Sequence, residues 1–185
     1  MARRRFANFG EYLYWRYATL QMLMVALKRG LSEYDRSCYA IREKYFKGYK
    51  EGRFSPSSLV DNTLAHFSDL SQCWYCGAPA PTSGLTRDHI LPLSKGGSDS
   101  PDNIFMVCGR CNSSKCDSDL IGWYFSTFVG APPLYLWATY LKLVHQFAVT
   151  HGLMDKTSDD LRELVLPFDV RSLSYEFPIN DFLEN

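Results

Sequence analysis

Four of the six cysteines in this 185-residue chain form two pairs, Cys73-Trp74-Tyr75-Cys76 and Cys108-Gly109-Arg110-Cys111. Two thiolates held two residues apart in a tight turn can reach one ion. Two such pairs in a chain kept reduced are the usual signature of tetrahedral zinc. Gly77 and Gly109 supply backbone freedom beside the turns. The alternatives are disulfides, disfavoured in a reducing compartment, and a redox pair, which would not need a second CxxC. The 31 residues between the pairs exceed the loop of a short zinc ribbon, so they must hold structure of their own. Of the other cysteines, Cys38 lies on a helical apolar stripe and reads as core. Cys116, just past the second pair, reads as a packing residue, with an alternate metal ligand as its other role.

The loop between the pairs carries Asp88-His89-Ile90-Leu91-Pro92-Leu93-Ser94-Lys95-Gly96-Gly97 and then Asp102-Asn103-Ile104. Asn112-Ser113-Ser114-Lys115 follows the second pair. Taken singly, each polar residue has a plainer reading. An Asp-His pair is commonly a surface or capping feature, Asn103 after Pro101-Asp102 shapes a turn, and Asn112 suits a helix N-cap. Taken together, in this order and between two cysteine knuckles, they resemble the HNH endonuclease family. Its pattern is a CxxC, D-H-I-x-P-x-S-x-G-G, an asparagine before an apolar residue, and a second CxxC followed at once by His or Asn. The resemblance covers Cys73 to Lys115, about a quarter of the chain.

Hydrolysis of a phosphodiester requires a deprotonated water, an offset for the phosphate charge and a stabilised leaving oxygen. A neutral imidazole is a general base near pH 7, so His89 suits the first of these. Adjacent strand residues face opposite ways, so Asp88 points away from His89 unless the strand bends. The resemblance implies that His89 faces the scissile phosphate while Asp88 and Asn112 hold a single divalent ion. These are hard oxygen donors, which makes Mg²⁺ the default and Mn²⁺ its substitute. It also implies that Asn103 orients the loop carrying His89. Asn112 stands where many members have histidine, making this an H-N-N variant, with an oxygen ligand in place of an imidazole nitrogen. Arg87, Lys95, Arg110 and Lys115 are candidates for contacts to the nucleic-acid backbone, against the plainer reading of solvated charge. His66, His145 and His151 show no partner pattern; His145 reads as structural, and His151 as a helix-terminal residue.

Helices must position this module. Phe9, Leu13, Tyr17, Leu20, Met24 and Leu27 fall on one helical stripe, with Gly30 as its C-terminal cap. Ser32 opens a second helix with Asp35 in a weak capping box, Tyr34, Cys38, Ile41 and Tyr45 as its stripe, and Gly48 as its end. After Pro56, a short third helix carries Val60, Leu64 and Phe67. Leu85–Leu93 reads as strand, and Lys95–Pro101 as turn. A helix begins near Gly109 and runs into Trp123–Phe128. Another carries Leu134, Trp137, Leu141, Val144 and Ala148 and stops at Gly152. A short one spans Ser158–Leu164, and the tail from Asp169 is irregular. The expected fold is α+β, a mostly helical chain around a small ββα-metal module with a structural zinc. Its regions are 1–70 (N-terminal helices), 71–120 (the zinc and ββα-metal nuclease module) and 121–185 (C-terminal helices packed on the module), together one compact unit.

The net charge is zero, so overall charge names no polyanionic partner, but its distribution is uneven. Residues 1–70 carry 12 Lys+Arg against 7 Asp+Glu, residues 71–120 carry 4 against 5, and residues 121–185 carry 4 against 8. The basic first third suits a phosphate backbone, or simply a set of solvated helix faces. Glu11, Arg16 and the tyrosines interrupt what would be a signal sequence, and no apolar run is long enough for a bilayer. An intracellular, cytoplasmic protein without membrane contact is expected. Its partner is DNA, with RNA as the other nucleic acid to consider. Two further readings stand beside the nuclease. One is a zinc-stabilised binding module without chemistry. The other, suggested by the clustered Tyr12, Tyr14, Trp15 and Tyr17, is a nuclease subunit of a larger defence or phage assembly.

Overall fold

A computed structural model of the protein describes residues 4–56 and 71–183. Asn8 caps helix α1 (Phe9–Lys28), its side-chain oxygen accepting from the Glu11 amide. The helix buries Phe9, Leu13, Tyr17 and Leu20 of the expected stripe, half-buries Met24 and Leu27, and also buries Trp15, Arg16, Thr19 and Met22. It is covered on more than one side because two long helices pack against it, α2 (Arg36–Lys50) and α5 (Leu134–Thr150). Helix α2 starts later than Ser32. Asp35 is itself the cap, its carboxylate accepting from the Cys38 amide and the Ser37 hydroxyl. The helix also runs past Gly48 to Lys50, and Gly48 serves close packing instead of termination: a Cβ there would lie 2.2 Å from the Phe54 ring. The expected third helix, with Val60, Leu64, His66 and Phe67, lies outside the described residues.

Strands β1 (Thr86–His89) and β2 (Ile104–Val107) form an antiparallel hairpin with Asp88 opposite Phe105 and His89 opposite Ile104. β1 is shorter than the apolar run suggested. After Ile90, whose amide still donates to Asn103 O, the chain at Leu91 bonds to the Asn103 side chain in place of a strand partner. Helix α3 (Gly109–Lys115) follows β2 directly and packs on β1. It does not continue into Trp123. Cys116 takes a positive φ of 51°, and Asp119 caps a separate helix α4 (Leu120–Thr127) by accepting from the Gly122 amide. A side-chain oxygen four residues after α3 offered the backbone a new start, which an apolar-periodicity reading does not detect.

Helix α5 buries Trp137, Leu141, Val144 and Ala148 of the expected stripe, leaves Leu134 half-buried and buries Leu136 instead, and Gly152 with φ 65° turns the chain beyond it. Helix α6 (Ser158–Arg162) is shorter than expected and is opened by a Thr157–Asp160 capping box. The tail has only 3₁₀ turns, yet Leu173, Phe177, Ile179 and Phe182 are buried, and Tyr175 stacks on Trp137 at 5.2 Å. Arg16, 2% exposed, pins this tail to α1 by donating to the carbonyls of Leu173 and Tyr175. One cluster of buried side chains runs from α1 through the hairpin to α5 and the tail. The fold is α+β: helices around a two-stranded sheet. Among the described residues, no helix is long and apolar enough to cross a membrane.

Candidate active site

The two cysteine pairs converge. The sulfurs of Cys73, Cys76, Cys108 and Cys111 all lie within 4.8 Å of one another. A zinc–sulfur distance of about 2.3 Å puts tetrahedral sulfurs roughly 3.8 Å apart, so the cluster fits such an ion with small adjustment. The first knuckle closes through Gly77 N to Cys73 O and Cys73 N to Ala78 O, at 2.9 and 2.7 Å, with Gly77 at φ 68°. Cys108 is the N-cap of α3. Burial raises the Cys111 thiol, helped by the contact with Cys108 and the nearby sulfurs of Cys73 and Cys76, so this thiol stays protonated unless a cation lies among the sulfurs. The four cysteines are thus positioned to bind a metal. The knuckle is also tied outward: Trp74 N donates to Met106 O of β2, and the Tyr135 hydroxyl of α5 donates to Trp74 O.

Tyr75, inside that first knuckle, reaches Asp88 directly. Its ring is buried against Phe105 and Trp123, and its hydroxyl donates to Asp88 Oδ2 at 2.6 Å. The same carboxylate oxygen meets the Lys115 ammonium at 2.9 Å. Asp88 is 6% exposed and Lys115 fully enclosed. Lys115 also donates to the His89 carbonyl at 2.7 Å. Lys115, grouped from the sequence with the phosphate-contacting residues, therefore spends its charge inside the module. Its position three residues after Asn112 turns both side chains toward β1.

Asn112 donates through Nδ2 to Arg87 O at 3.1 Å and to Thr86 Oγ1 at 3.0 Å. A carbonyl can only accept, so this assigns the amide orientation and turns Oδ1 away from those partners. Asp88 and Asn112 flank the same stretch of β1. Their oxygens are hard donors, the type a divalent cation takes, and the Asp88 carboxylate is neutralised here by the Lys115 ammonium.

His89 sits on the other face of β1, half-buried, with Nε2 2.9 Å from Asp99 Oδ1. The His89 contact lowers the Asp99 carboxyl below its ordinary range, so Asp99 is an anion that accepts. Nε2 therefore donates its proton to Asp99. Arg87, mostly exposed, has its guanidinium 3.8 Å from Asp99. Asn103 is completely buried. Its Oδ1 accepts from Leu91 N at 2.8 Å, and its Nδ2 donates to Leu91 O and Ser98 O at 2.9 and 2.7 Å. One amide thereby holds both sides of the loop that follows His89. Gly97 is needed there for space, because a Cβ would stand 2.1 Å from Leu91 O. Lys95 donates to Asp117 O at 2.7 Å, and Arg110 is exposed on α3.

Tyr75 and Asp99 do not stand out in the sequence. Tyr75 resembles knuckle filler, and Asp99 stands in a Gly-Ser-rich turn where an acid is ordinary. Only the folded loop brings Asp99 back to the imidazole ten residues earlier.

Residues 73–119 match a family model described as HNH endonuclease. The chain is also 37% identical over 59 residues to a CRISPR-associated endonuclease Cas9 from Corynebacterium diphtheriae, a stretch covering 31% of this chain. It spans only 5% of that relative's length. No solved structure matches the chain. The cysteine cluster and the hairpin and helix that it joins lie within the stretch, residues 73–119, that is similar to HNH endonucleases.

Proposed function

We propose that the chain is a metal-dependent endonuclease that hydrolyses phosphodiester bonds in DNA. The cysteine cluster holds a structural zinc in this reading, and Asp88 and Asn112 hold one divalent ion, Mg²⁺ or Mn²⁺. Such an ion would offset charge on the phosphate and on the leaving oxygen. His89 takes a proton from the attacking water at Nδ1. Asp99 accepts from Nε2–H, which keeps the ring in that tautomer and favours the imidazolium as it forms. Lys115 and Tyr75 hold Asp88 through Oδ2, which leaves Oδ1 for the ion. Asn103 fixes the loop beyond His89. Arg87, Lys95 and Arg110 contact the nucleic-acid backbone, and the protein works in the cytoplasm. The observation that carries the reading is the pairing of a carboxylate-oriented imidazole on one face of β1 with an enclosed, cation-bound carboxylate on the other.

The test is cleavage of supercoiled plasmid, linear duplex, single-stranded DNA and RNA with Mg²⁺ or Mn²⁺. His89→Ala is expected to lose roughly 10²–10⁴-fold in rate, the usual contribution of a positioned base, with zinc content and melting temperature unchanged. Wild-type rates from His89→Ala would reject the proposal. A wild-type protein that retards DNA in a gel but cuts no substrate would favour the binding-module reading. The much longer Cas9 relative favours the remaining variant, an HNH nuclease working within a larger assembly. Light scattering on the purified chain tests that variant, since a stable monomer fully active alone would argue against it.

A further inference from the structure

A cleft of about 1210 Å³ is lined mostly by residues outside 73–119. It is walled by the N-terminal arm, α1, α6 and the segment after it, and it reaches that stretch at Lys95 and Asp119. Six cations line it, Arg4, Arg5, Arg16, Lys95, Arg162 and Arg171, against the three carboxylates Asp119, Asp169 and Glu176. Arg4 is paired with Glu43 and Arg162 with Asp159, which leaves Arg5, Arg16, Lys95 and Arg171 as the cations of the cleft that meet its acids or solvent. Asp119 is already committed, to the Tyr140 hydroxyl and to the Gly122 and Asp169 amides.

Arg16 is the informative residue. Its side chain is 3% exposed, and its Nε has no hydrogen-bond partner among the described residues. Its nearest acid, Glu176, is 3.7 Å away and 77% exposed. A guanidinium so enclosed normally has a close anion, because burying charge without one is costly. Its NH1 is spent on two neutral carbonyls. Arg5 is exposed without a partner among the described residues, and Arg171 is 91% exposed, held only by its near neighbour Asp169. That pair is bidentate, with Nε and a terminal nitrogen of Arg171 both donating to the carboxylate, so a phosphate taken by Arg171 replaces Asp169 there.

We infer that this cleft binds the phosphodiester backbone of the nucleic acid on which the HNH-like stretch acts, with Arg5 and Arg171 at the rim, Arg16 lending its charge from within the wall, and Lys95 where the strand passes to the candidate active site. The inference rests on the nuclease reading for the identity of its ligand. It also gives the flanking helices a role, since they extend the nucleic-acid surface beyond the hairpin. The cleft meets phosphate and sugar, so it adds affinity and register without sequence preference.

The test uses zinc-loaded His89→Ala protein without added Mg²⁺ or Mn²⁺, so that nothing is cut, and fluorescence anisotropy with labelled single-stranded and duplex DNA across a salt series. Arg5→Ala/Arg171→Ala is expected to bind more weakly. Its slope of log affinity against log salt should fall by about 0.7–0.9 for each phosphate that is no longer neutralised. Arg16→Met is expected to reduce the slope as well, with its melting temperature recorded because Arg16 also holds the tail. Both rim residues are exposed, so the rim variant stays informative if Arg16→Met fails to fold. Arg36→Ala/Lys44→Ala, two exposed cations of α2 away from the cleft, should leave the slope unchanged. An unchanged slope in the rim variant, or an equal fall in the α2 variant, overturns the inference. Wild-type plasmid cleavage is scored separately. Cleavage with an unchanged rim slope defeats the cleft alone, and a changed slope without cleavage defeats the nuclease reading alone.

Discussion

Replacing Lys115 by methionine keeps most of the side chain's length and removes its charge. In the wild type the ammonium is fully buried between Asp88 Oδ2, at 2.9 Å, and the His89 carbonyl, at 2.7 Å. The variant leaves Asp88, 6% exposed, with Tyr75 as its one remaining hydrogen-bond donor among the described residues. Breaking a buried pair by removing one partner costs about 3–5 kcal/mol, because the other charge stays enclosed without compensation. Both groups are inside, so little of this is screened by solvent. At this chain length each 1 kcal/mol moves the melting temperature by about 2–4 °C, so Lys115→Met should melt roughly 6–20 °C lower. The double variant Asp88→Asn/Lys115→Met removes the orphaned charge and keeps an acceptor for Tyr75. It should be more stable than the two single effects summed, by at least about 1 kcal/mol. Thermal and urea unfolding of zinc-loaded protein measure both quantities. A cost below about 1 kcal/mol for Lys115→Met, or strict additivity in the cycle, would mean that this pair does not anchor the carboxylate.

Removing metal with a strong chelator should release one zinc per chain and unfold the 73–111 region, since both knuckles depend on the ion; a chelated protein with unchanged near-ultraviolet circular dichroism contradicts this. Asp99→Asn should lower kcat with little change in KM, by up to the roughly 10²–10⁴-fold that a positioned base contributes, while zinc content and melting temperature hold; an unaltered kcat leaves Asp99 with no part in orienting the base. Asp35 is lowered to about 2 by its hydrogen bonds from Ser37 and the Cys38 amide. A carboxyl lowered on folding stabilises above its unfolded value near 3.9 and loses that effect as pH falls toward 2. The stability gap between wild type and Asp35→Ala should therefore be constant above about pH 5 and shrink below pH 4, and a gap that persists to pH 2 speaks against the cap.

Much of this fold is written in local spacing. The 3- and 4-residue steps of Leu134 to Ala148 locate α5, and the two CxxC pairs locate a cysteine cluster whose four sulfurs meet. What the sequence hid depends on side chains reaching across the chain. Asp35 and Asp119 cap helices where apolar periodicity suggested a start at Ser32 and an unbroken run through Cys116. Gly48 looks like a helix stop and is instead packed against Phe54. In the site, Asp88, His89, Asn103 and Asn112 stand out as a pattern, but their immediate partners do not. Tyr75 and Asp99 become visible only once the knuckle and the loop are folded against β1. Lys115 shows the converse case: a lysine after a metal-binding motif suggests a phosphate partner, and burial alone gives it a structural role.

The proposed chemistry stands on one arrangement of atoms, and the sharpest probe of it is anomalous diffraction from crystals soaked in Mn²⁺ with a bound nucleic acid. One manganese peak is expected about 2.0–2.2 Å from an Asp88 oxygen and from Asn112 Oδ1, with His89 Nδ1 facing the scissile phosphate across from it. A peak elsewhere in the protein, or none within reach of both residues while the nucleic acid lies against His89, would overturn that arrangement.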